Sequence, residues 1–256
     1  MNAILNRLCG VLLGAMAGMA TASEPLHVYV GAGQMPFADD QPGERGVFGE
    51  LMDELCRRMQ RECVYKSVPW RRVQWVMAED PQGIVLNLGR NSEREELFFW
   101  LLEVLPTPYL LASPEHRFNS LSDALKAGPV AVMAATPRAD ELKALRSEYQ
   151  QVIEVNQPQQ AVELLKAGRV VAWYEIEQRI RYLWPADLPA LQFGPPLSST
   201  RSYIAASPML IDATSLSREM NRHFQEMQAD GSWSRILEDY RLAHAPVAPF
   251  NHAVAL

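Results

Sequence analysis

The segment Asn87-Leu-Gly-Arg-Asn-Ser-Glu-Arg94-Glu-Glu-Leu-Phe-Phe-Trp100 decides the fold, and Pro106-Thr-Pro-Tyr109 follows it closely. A hydrophobic strand over residues 84–88 is predicted to run into this polar turn, and the aromatic residues follow the turn. Arg94 lies in the turn, at the mouth of the strand. A guanidinium held there offers a rigid fork of donors that fits a carboxylate with two parallel hydrogen bonds. The segment therefore predicts a receptor site for a small anionic or zwitterionic molecule.

The residues before this segment alternate between predicted strands and helices. Strands are expected over 27–31 and 63–68, and Pro69 opens a helix between the second of these and the strand at 84–88. The clearest helix has apolar residues at helical spacing, namely Phe48, Leu51, Met52, Leu55 and Met59. The order strand, helix, strand, helix, strand predicts the α/β class, with a parallel sheet and crossover helices.

The alternation continues after the aromatic residues. Strands are predicted over 130–133, 152–155 and 169–174, each with a helix nearby, and prolines interrupt the pattern between 185 and 196. A strand over 202–206 and two helices follow. The length of the chain allows two lobes of roughly 100 residues each.

The N-terminus has the pattern of a secretory signal peptide. Arg7 supplies the positive start, an apolar run follows to Met19, and Ala20-Thr21-Ala22 has the small-x-small form of a cleavage site before Ser23. The run is shorter than the ~20 apolar residues that a spanning helix needs. Cys9 precedes the run, which argues against a lipid anchor. We expect residues 1–22 to be removed, the chain to be exported to the periplasm without spanning the membrane, and the tail 243–256 to lack regular structure.

The charge distribution argues against nucleic-acid partners. The formal net charge is −6, and acidic and basic residues are interspersed without a basic block. No cofactor motif is present, and the spacing of Cys56 and Cys63 is not a zinc pattern, so we expect neither a cofactor nor a metal.

Cys56 and Cys63 have two possible interpretations. Export to an oxidising compartment favours a disulfide, which is feasible if Cys63 lies beyond the end of the helix, where the chain turns back. The alternative is a buried free thiol at Cys56, which occupies a small apolar position of the helix. Either interpretation gives these residues a structural role.

Four motifs occur in order along the chain. They are Met35-Pro36-Phe37, Val68-Pro69-Trp70-Arg71-Arg72, the Arg94 turn with Leu97-Phe98-Phe99 and Pro108-Tyr109, and the ending Met227-Gln-Ala-Asp230-Gly231-Ser-Trp233-Ser-Arg-Ile236 through Tyr240. With these motifs the chain resembles a known family, the bacterial extracellular solute-binding proteins of family 3, which are the periplasmic polar amino acid receptors of ABC importers.

The resemblance implies a two-lobed fold of the type II periplasmic binding protein kind. Each lobe would be a mixed β-sheet flanked by helices, with a cleft between the lobes. Lobe one would contain residues 23–107 and 200–242, and lobe two residues 108–199. Two crossings of the chain, near 105–112 and 196–201, would form the hinge on which the lobes close.

The resemblance also implies a set of ligand-binding residues. Arg94 falls where the family holds the carboxylate of its ligand, and Thr136 falls at a helix N-terminus whose N–H groups suit an anion. The strand that ends near Glu175 and Glu177 falls where the family uses an aspartate for the ligand's ammonium group. Glu175 is the preferred counterpart, with Glu177 second. The remaining candidates are cleft-lining residues: Phe37, Trp70, Asn87 and Gly89.

Each candidate also has an ordinary structural interpretation. Arg94 could pair with a neighbouring glutamate on the surface, Thr136 could be a simple N-cap, and Trp70 and Phe37 could be core residues. Gln34 stands where many relatives carry an aromatic residue that stacks on the ligand, a departure from the typical amino acid site.

The expected function is capture of a small polar or carboxylate-bearing solute by clamp closure, for ABC-type import with a permease as partner. One alternative is a ligand-sensing or partner-binding protein of the same fold. Another is a prephenate or arogenate dehydratase, in which Glu175 or Glu177 would serve as general acid. Nothing else in the sequence forms a catalytic set, so we do not expect an enzyme.

Overall fold

The computed structural model describes residues 24–31 and 33–242. The expected signal peptide (1–22) and tail (243–256) lie outside the described residues. The strands are β1 (Leu26–Gly31), β2 (Cys63–Val68), β3 (Gly83–Gly89), β4 (Phe99–Ser113), β5 (Val130–Met133), β6 (Val152–Val155), β7 (Ala172–Ile176), β8 (Gln192–Phe193) and β9 (Ser198–Ala206). The helices are α1 (Gly46–Met59), α2 (Trp70–Ala78), α3 (Leu121–Ala127), α4 (Pro137–Leu145), α5 (Pro158–Lys166), α6 (Glu177–Leu183), α7 (Ala213–Ala229) and α8 (Ser232–Asp239).

The described strands form one mixed sheet in the order β2-β1-β3-β9-β4-β7-β5-β6, with β8 paired to β4. We keep the name lobe one for the half built on β1, β2 and β3 with α1, α2, α7 and α8. Lobe two is the half built on β5 to β8 with α3 to α6. In lobe one β1 pairs in parallel with β2 and β3, and in lobe two β5 pairs in parallel with β6 and β7.

Strands β4 and β9 run through both halves. They pair antiparallel from Phe99 opposite Ala206 to Tyr109 opposite Ser198, and β4 then pairs with β7. The resemblance implies two chain crossings in this region. The structure shows that the crossings are the two paired strands themselves, so the lobes are joined by a hydrogen-bonded ribbon.

Helix α1 follows the predicted apolar spacing and packs into lobe one. Phe48, Leu51, Met52 and Leu55 are fully buried. The helix ends at Met59, because Gln60 adopts a left-handed backbone with φ of 54°. The chain reverses there, and Cys63 at the start of β2 forms a disulfide with Cys56, with their Cα atoms 6.3 Å apart. The disulfide ties α1 to the edge strand of the sheet.

The turn between α2 and β3 is held by Asp80. Its Oδ2 bonds to Nδ1 of His27 (2.7 Å), to the hydroxyl of Tyr29 (2.7 Å) and to the ammonium of Lys66 (3.2 Å). Burial opposes ionisation of Asp80, but these hydrogen bonds outweigh it and lower the pKa of Asp80 to about 2. The carboxylate therefore links the two parallel strands β1 and β2 to the turn.

Strand β7 differs from its prediction over 169–174. The left-handed Gly168 ends α5, and the regular strand begins at Ala172 and continues to Ile176. Glu175 is therefore a strand residue, buried on the sheet, and Glu177 begins α6.

The described residues lack a membrane-spanning helix and a cluster of metal-ligating side chains. No helix in them is both long and apolar enough to cross a membrane. They contain no group of three or more His, Cys, Asp or Glu side chains placed to hold a metal ion.

Candidate functional site

A small polar cavity lies between the two lobes, against the β4–β9 ribbon. Its volume is about 30 Å³, room for one or two water molecules. Lobe one, lobe two and the ribbon all contribute to its walls. The lining residues are Gln34, Trp70, Asn87, Gly89, Arg94, Tyr109, Thr136, Pro137, Arg138, Ile176, Arg179 and Ser202.

Arg94 reaches this cavity from the turn after β3. Its backbone N–H donates to Asn91, to the side-chain oxygen at 3.0 Å and to the carbonyl at 3.2 Å, which fixes the turn. Its Nη1 donates to the carbonyl of Gly89 in lobe one (3.0 Å), and its Nη2 donates to the carbonyl of Ala135 in lobe two (3.1 Å). Arg94 is only 8% exposed, and its guanidinium bonds to both lobes. Burial lowers the pKa of Arg94, but an arginine remains charged at neutral pH.

The backbone carbonyl of Ala135 in lobe two binds two side chains of lobe one. It accepts hydrogen bonds from Arg94 and from Nε1 of Trp70, the latter at 3.3 Å. Ala135 has a φ of 55°, a left-handed conformation that costs a residue with a Cβ roughly 1–2 kcal/mol. Such strain is often found at ligand-binding positions.

Thr136 caps helix α4 and lines the cavity. Its hydroxyl donates to the carbonyl of Met133 (2.6 Å) and accepts from the backbone N–H of Ala139 (3.4 Å). The hydroxyl thus makes two local bonds, as an N-cap does. The next residues, Pro137 and Arg138, form the first turn of α4 and also line the cavity.

Glu175 lies behind the cavity wall, between two arginines. It is fully buried, and its Oε1 forms an ion pair with Nη2 of Arg138 (2.7 Å). The same oxygen accepts hydrogen bonds from Nη1 of Arg179 (3.4 Å) and from the backbone N–H of Ile176 (2.8 Å). It does not line the cavity. Glu177, the second candidate, pairs instead with the exposed Arg181.

Arg179 also connects the lobes. Its Nη2 donates to the carbonyl of Gln34 in lobe one (3.3 Å), and its guanidinium lies 5.0 Å from the ring centre of Phe37. Phe37 is fully buried and does not line the cavity. Burial lowers the pKa of Arg179, while the charge of Glu175 opposes that change. The guanidinium of Arg179 thus lies between the aromatic ring of Phe37 and the carboxylate of Glu175.

Several buried polar atoms of the lining have no hydrogen-bond partner in the described residues. They are Nε2 of Gln34, Oδ1 of Asn87, and the Nε atoms of Arg138 and Arg179. Asn87 adopts a φ of 58° where the β3–β9 register shifts. An unpaired buried donor or acceptor costs about 1–3 kcal/mol, so four of them around one cavity indicate a place for a hydrogen-bonding ligand.

The structure thus brings together most of the residues proposed from the sequence. Arg94, Trp70, Asn87, Gly89 and Thr136 line the cavity, whereas Phe37 and Glu175 stand behind the lining.

Sequence reasoning missed Arg138 and Arg179. A signal was present, because both lie in the first turn of a helix, where the positive end of the helix dipole disfavours a cation.

No protein-family model matches the chain, and no curated protein matches it either. Solved structures do. A mutant of ArgBP from T. maritima superposes with a TM-score of 0.73 over 84% of this chain and 94% of that chain, at 19% identity. A putative L-cystine ABC transporter protein from Listeria monocytogenes gives 0.72 over 86% and 97%, also at 19% identity. The ancestral amino acid-binding protein AncCDT-1, described as a precursor of cyclohexadienyl dehydratase, gives 0.70 over 84% and 94%, at 15% identity.

The fold is that of the two-lobed, type II periplasmic binding proteins. The α/β class and the two-lobed architecture expected from the resemblance are confirmed. The cavity described above therefore lies in the interlobe cleft of this fold.

Proposed function

We propose that the protein is a periplasmic solute-binding protein that captures a small anionic solute, such as a carboxylate, between its lobes for ABC-type import. The observation that carries the proposal is the position of Arg94. Its guanidinium lies in the interlobe cavity and bonds to one carbonyl from each lobe.

Closure of the lobes would assemble the site from separate parts. Lobe one brings Arg94 and Trp70, and lobe two brings Arg138 and the start of α4. A solute with acceptor oxygens can bond to donors of both lobes only when they are closed. Such a solute stabilises the closed state by its differential affinity for it.

Glu175 takes a different place in this proposal from the ammonium-binding role expected from the resemblance. Its Oε1 is held by Arg138, Arg179 and a backbone N–H, so we propose that it positions the two arginines. The dehydratase alternative would need Glu175 as a general acid facing the substrate, and its enclosure by two guanidiniums favours binding over that chemistry.

A sensing role is the second candidate, and the direct bonds across the cleft favour it. Arg94, Trp70 and Arg179 bond to backbone carbonyls of the opposite lobe, and Nε of Arg71 bonds to Oδ1 of Asn156 (2.8 Å). Closure supported by these bonds would depend less on the solute. Small-angle scattering decides between the two, because an import receptor should become more compact on adding its solute and a closed sensor should not.

The test of the proposal is a thermal-shift panel of small carboxylates, inorganic oxyanions, amino acids and neutral solutes. A solute at 100 times its Kd stabilises the protein by about 2.7 kcal/mol, or roughly 5–11 °C. Arg94→Ala should weaken binding of that solute by about a hundred-fold or more, because a buried anion would lose its partner. Arg94→Lys should restore only part of it, because lysine lacks the planar fork.

Arg117→Ala is the matched control, since Arg117 is an exposed arginine away from the cavity. It should leave every shift unchanged. A solute that stabilises the wild type and Arg94→Ala equally would refute the proposed role of Arg94. A panel without any anion among its hits would refute the proposed function.

A further inference from the structure

The walls of the interlobe cavity carry more positive than negative charge. Arg94, Arg138 and Arg179 all line it, and they are 8%, 3% and 2% exposed. Glu175 is the carboxylate bonded to this group, and it is shared by Arg138 and Arg179. The hydrogen bonds of the Arg94 guanidinium shown by the structure go to neutral carbonyls. Three positive charges therefore face one negative charge.

The other acidic residues near these arginines have partners elsewhere or face solvent. Asp140 pairs with Lys143 at 3.1 Å. Glu141 accepts hydrogen bonds from Tyr174 (2.7 Å) and Ser198 (3.1 Å). Glu93 is exposed. None of these three carboxylates lines the cavity, so the formal excess of two positive charges at its wall remains.

The polar atoms of the lining that have no hydrogen-bond partner in the described residues are mostly donors, which also favours an anion. Three of them are donors, Nε2 of Gln34 and the Nε atoms of Arg138 and Arg179, and one is an acceptor, Oδ1 of Asn87. A ligand rich in acceptors satisfies such a set. An ammonium group does not, because it brings three more donors and a charge of the same sign as the wall.

We propose that the solute of this site is a compact dianion without an ammonium group, either a short dicarboxylate or a doubly charged oxyanion. This inference rests on the proposed function and specifies its ligand. Two negative charges cancel the excess at the wall. Because the cavity between the closed lobes has room for only one or two water molecules, the lobes must part to admit the dianion. Oε2 of Glu175 has no hydrogen-bond partner in the described residues, but Glu175 does not line the cavity. It is fully buried behind the two arginines that it orients, so an ammonium group in the cavity would meet the arginines and not this carboxylate.

The test is isothermal titration calorimetry of the whole protein in a buffer free of multivalent anions. Four probes separate charge from shape: succinate, its half-amide succinamate, aspartate, and sulfate. Succinate should bind at least tenfold tighter than succinamate, which has lost one charge, and than aspartate, which has gained an ammonium. Sulfate binding tighter than succinate would identify an oxyanion as the source of the dianion, and the reverse order would identify a dicarboxylate.

Substitution of the arginines that line the cavity gives a second test, in which the affinities for succinate and succinamate are compared. Arg138→Gln and Arg179→Gln should each weaken succinate binding by tenfold or more and succinamate binding by much less, because only the dianion uses the second charge. Arg117→Gln should change neither. An equal loss for both probes would contradict the assignment of these arginines to the second charge.

The outcomes distinguish this inference from the proposed function. If aspartate or succinamate binds as tightly as succinate, and sulfate does not bind comparably, the proposal of a dianion is wrong. The protein would then remain a receptor for a carboxylate. Absence of binding by all four probes, together with the anions of the thermal-shift panel, would overturn both.

Discussion

Replacing Glu175 by glutamine should destabilise the protein strongly. The carboxylate is fully buried, and its Oε1 lies 2.7 Å from Nη2 of Arg138 and 3.4 Å from Nη1 of Arg179. Without it, two buried guanidiniums repel each other and have no counter-charge. Removing one partner of a buried ion pair typically costs 3–5 kcal/mol. For a chain of this size, that corresponds to a fall in Tm of roughly 6–20 °C.

Glu177→Gln is the matched control, two residues away. Glu177 pairs with Arg181, which is largely exposed, and a surface pair contributes about 0–1 kcal/mol. Both variants should be compared by urea unfolding monitored by circular dichroism. A loss below about 1 kcal/mol for Glu175→Gln, or equal losses for the two variants, would refute the idea that Glu175 holds the arginine pair.

Three further predictions concern other parts of the fold. Replacing Cys56 and Cys63 together by serine should lower the free energy of unfolding by about 2–3 kcal/mol, because the unfolded chain regains the entropy of the short closed loop; an unchanged urea midpoint would speak against this. The depressed pKa of Asp80 should give stability that is fully present above about pH 4 and is lost as the pH falls towards 2, roughly 1 kcal/mol after solvent screening. Asp80→Asn should flatten that part of the pH–stability profile, and a profile identical to wild type would contradict the assignment. Ala135→Gly should raise the free energy of unfolding by up to about 1 kcal/mol by relieving the left-handed strain, and a loss in calorimetry would show that the strain is not relieved.

Local patterns in the sequence predicted the order of strands and helices and the position of Arg94. The apolar spacing of α1 depends only on residues close in the chain, and so does the strand–turn arrangement that places Arg94 after β3. The two-lobed architecture came from motifs far apart in the chain. It could not be derived from spacing alone.

The role of Glu175 could not be predicted, because it depends on contacts between distant segments. Pairing of Val132 in β5 with Tyr174 in β7 brings the start of α4 beside Glu175, and only then does Arg138 reach the carboxylate. The resemblance instead implied an acid that meets the ammonium group of the ligand in the cleft. The two arginines in the first turns of α4 and α6 could have been noticed from the sequence, because the positive end of a helix dipole disfavours a cation there.

The most direct measurement is a crystal structure of the protein grown with succinate or sulfate. We predict density for the dianion between the lobes, with its oxygens within hydrogen-bond distance of Arg94 and of Arg138 or Arg179. Density for the dianion away from the cleft, or an Arg94 side chain directed into bulk solvent, would contradict this prediction.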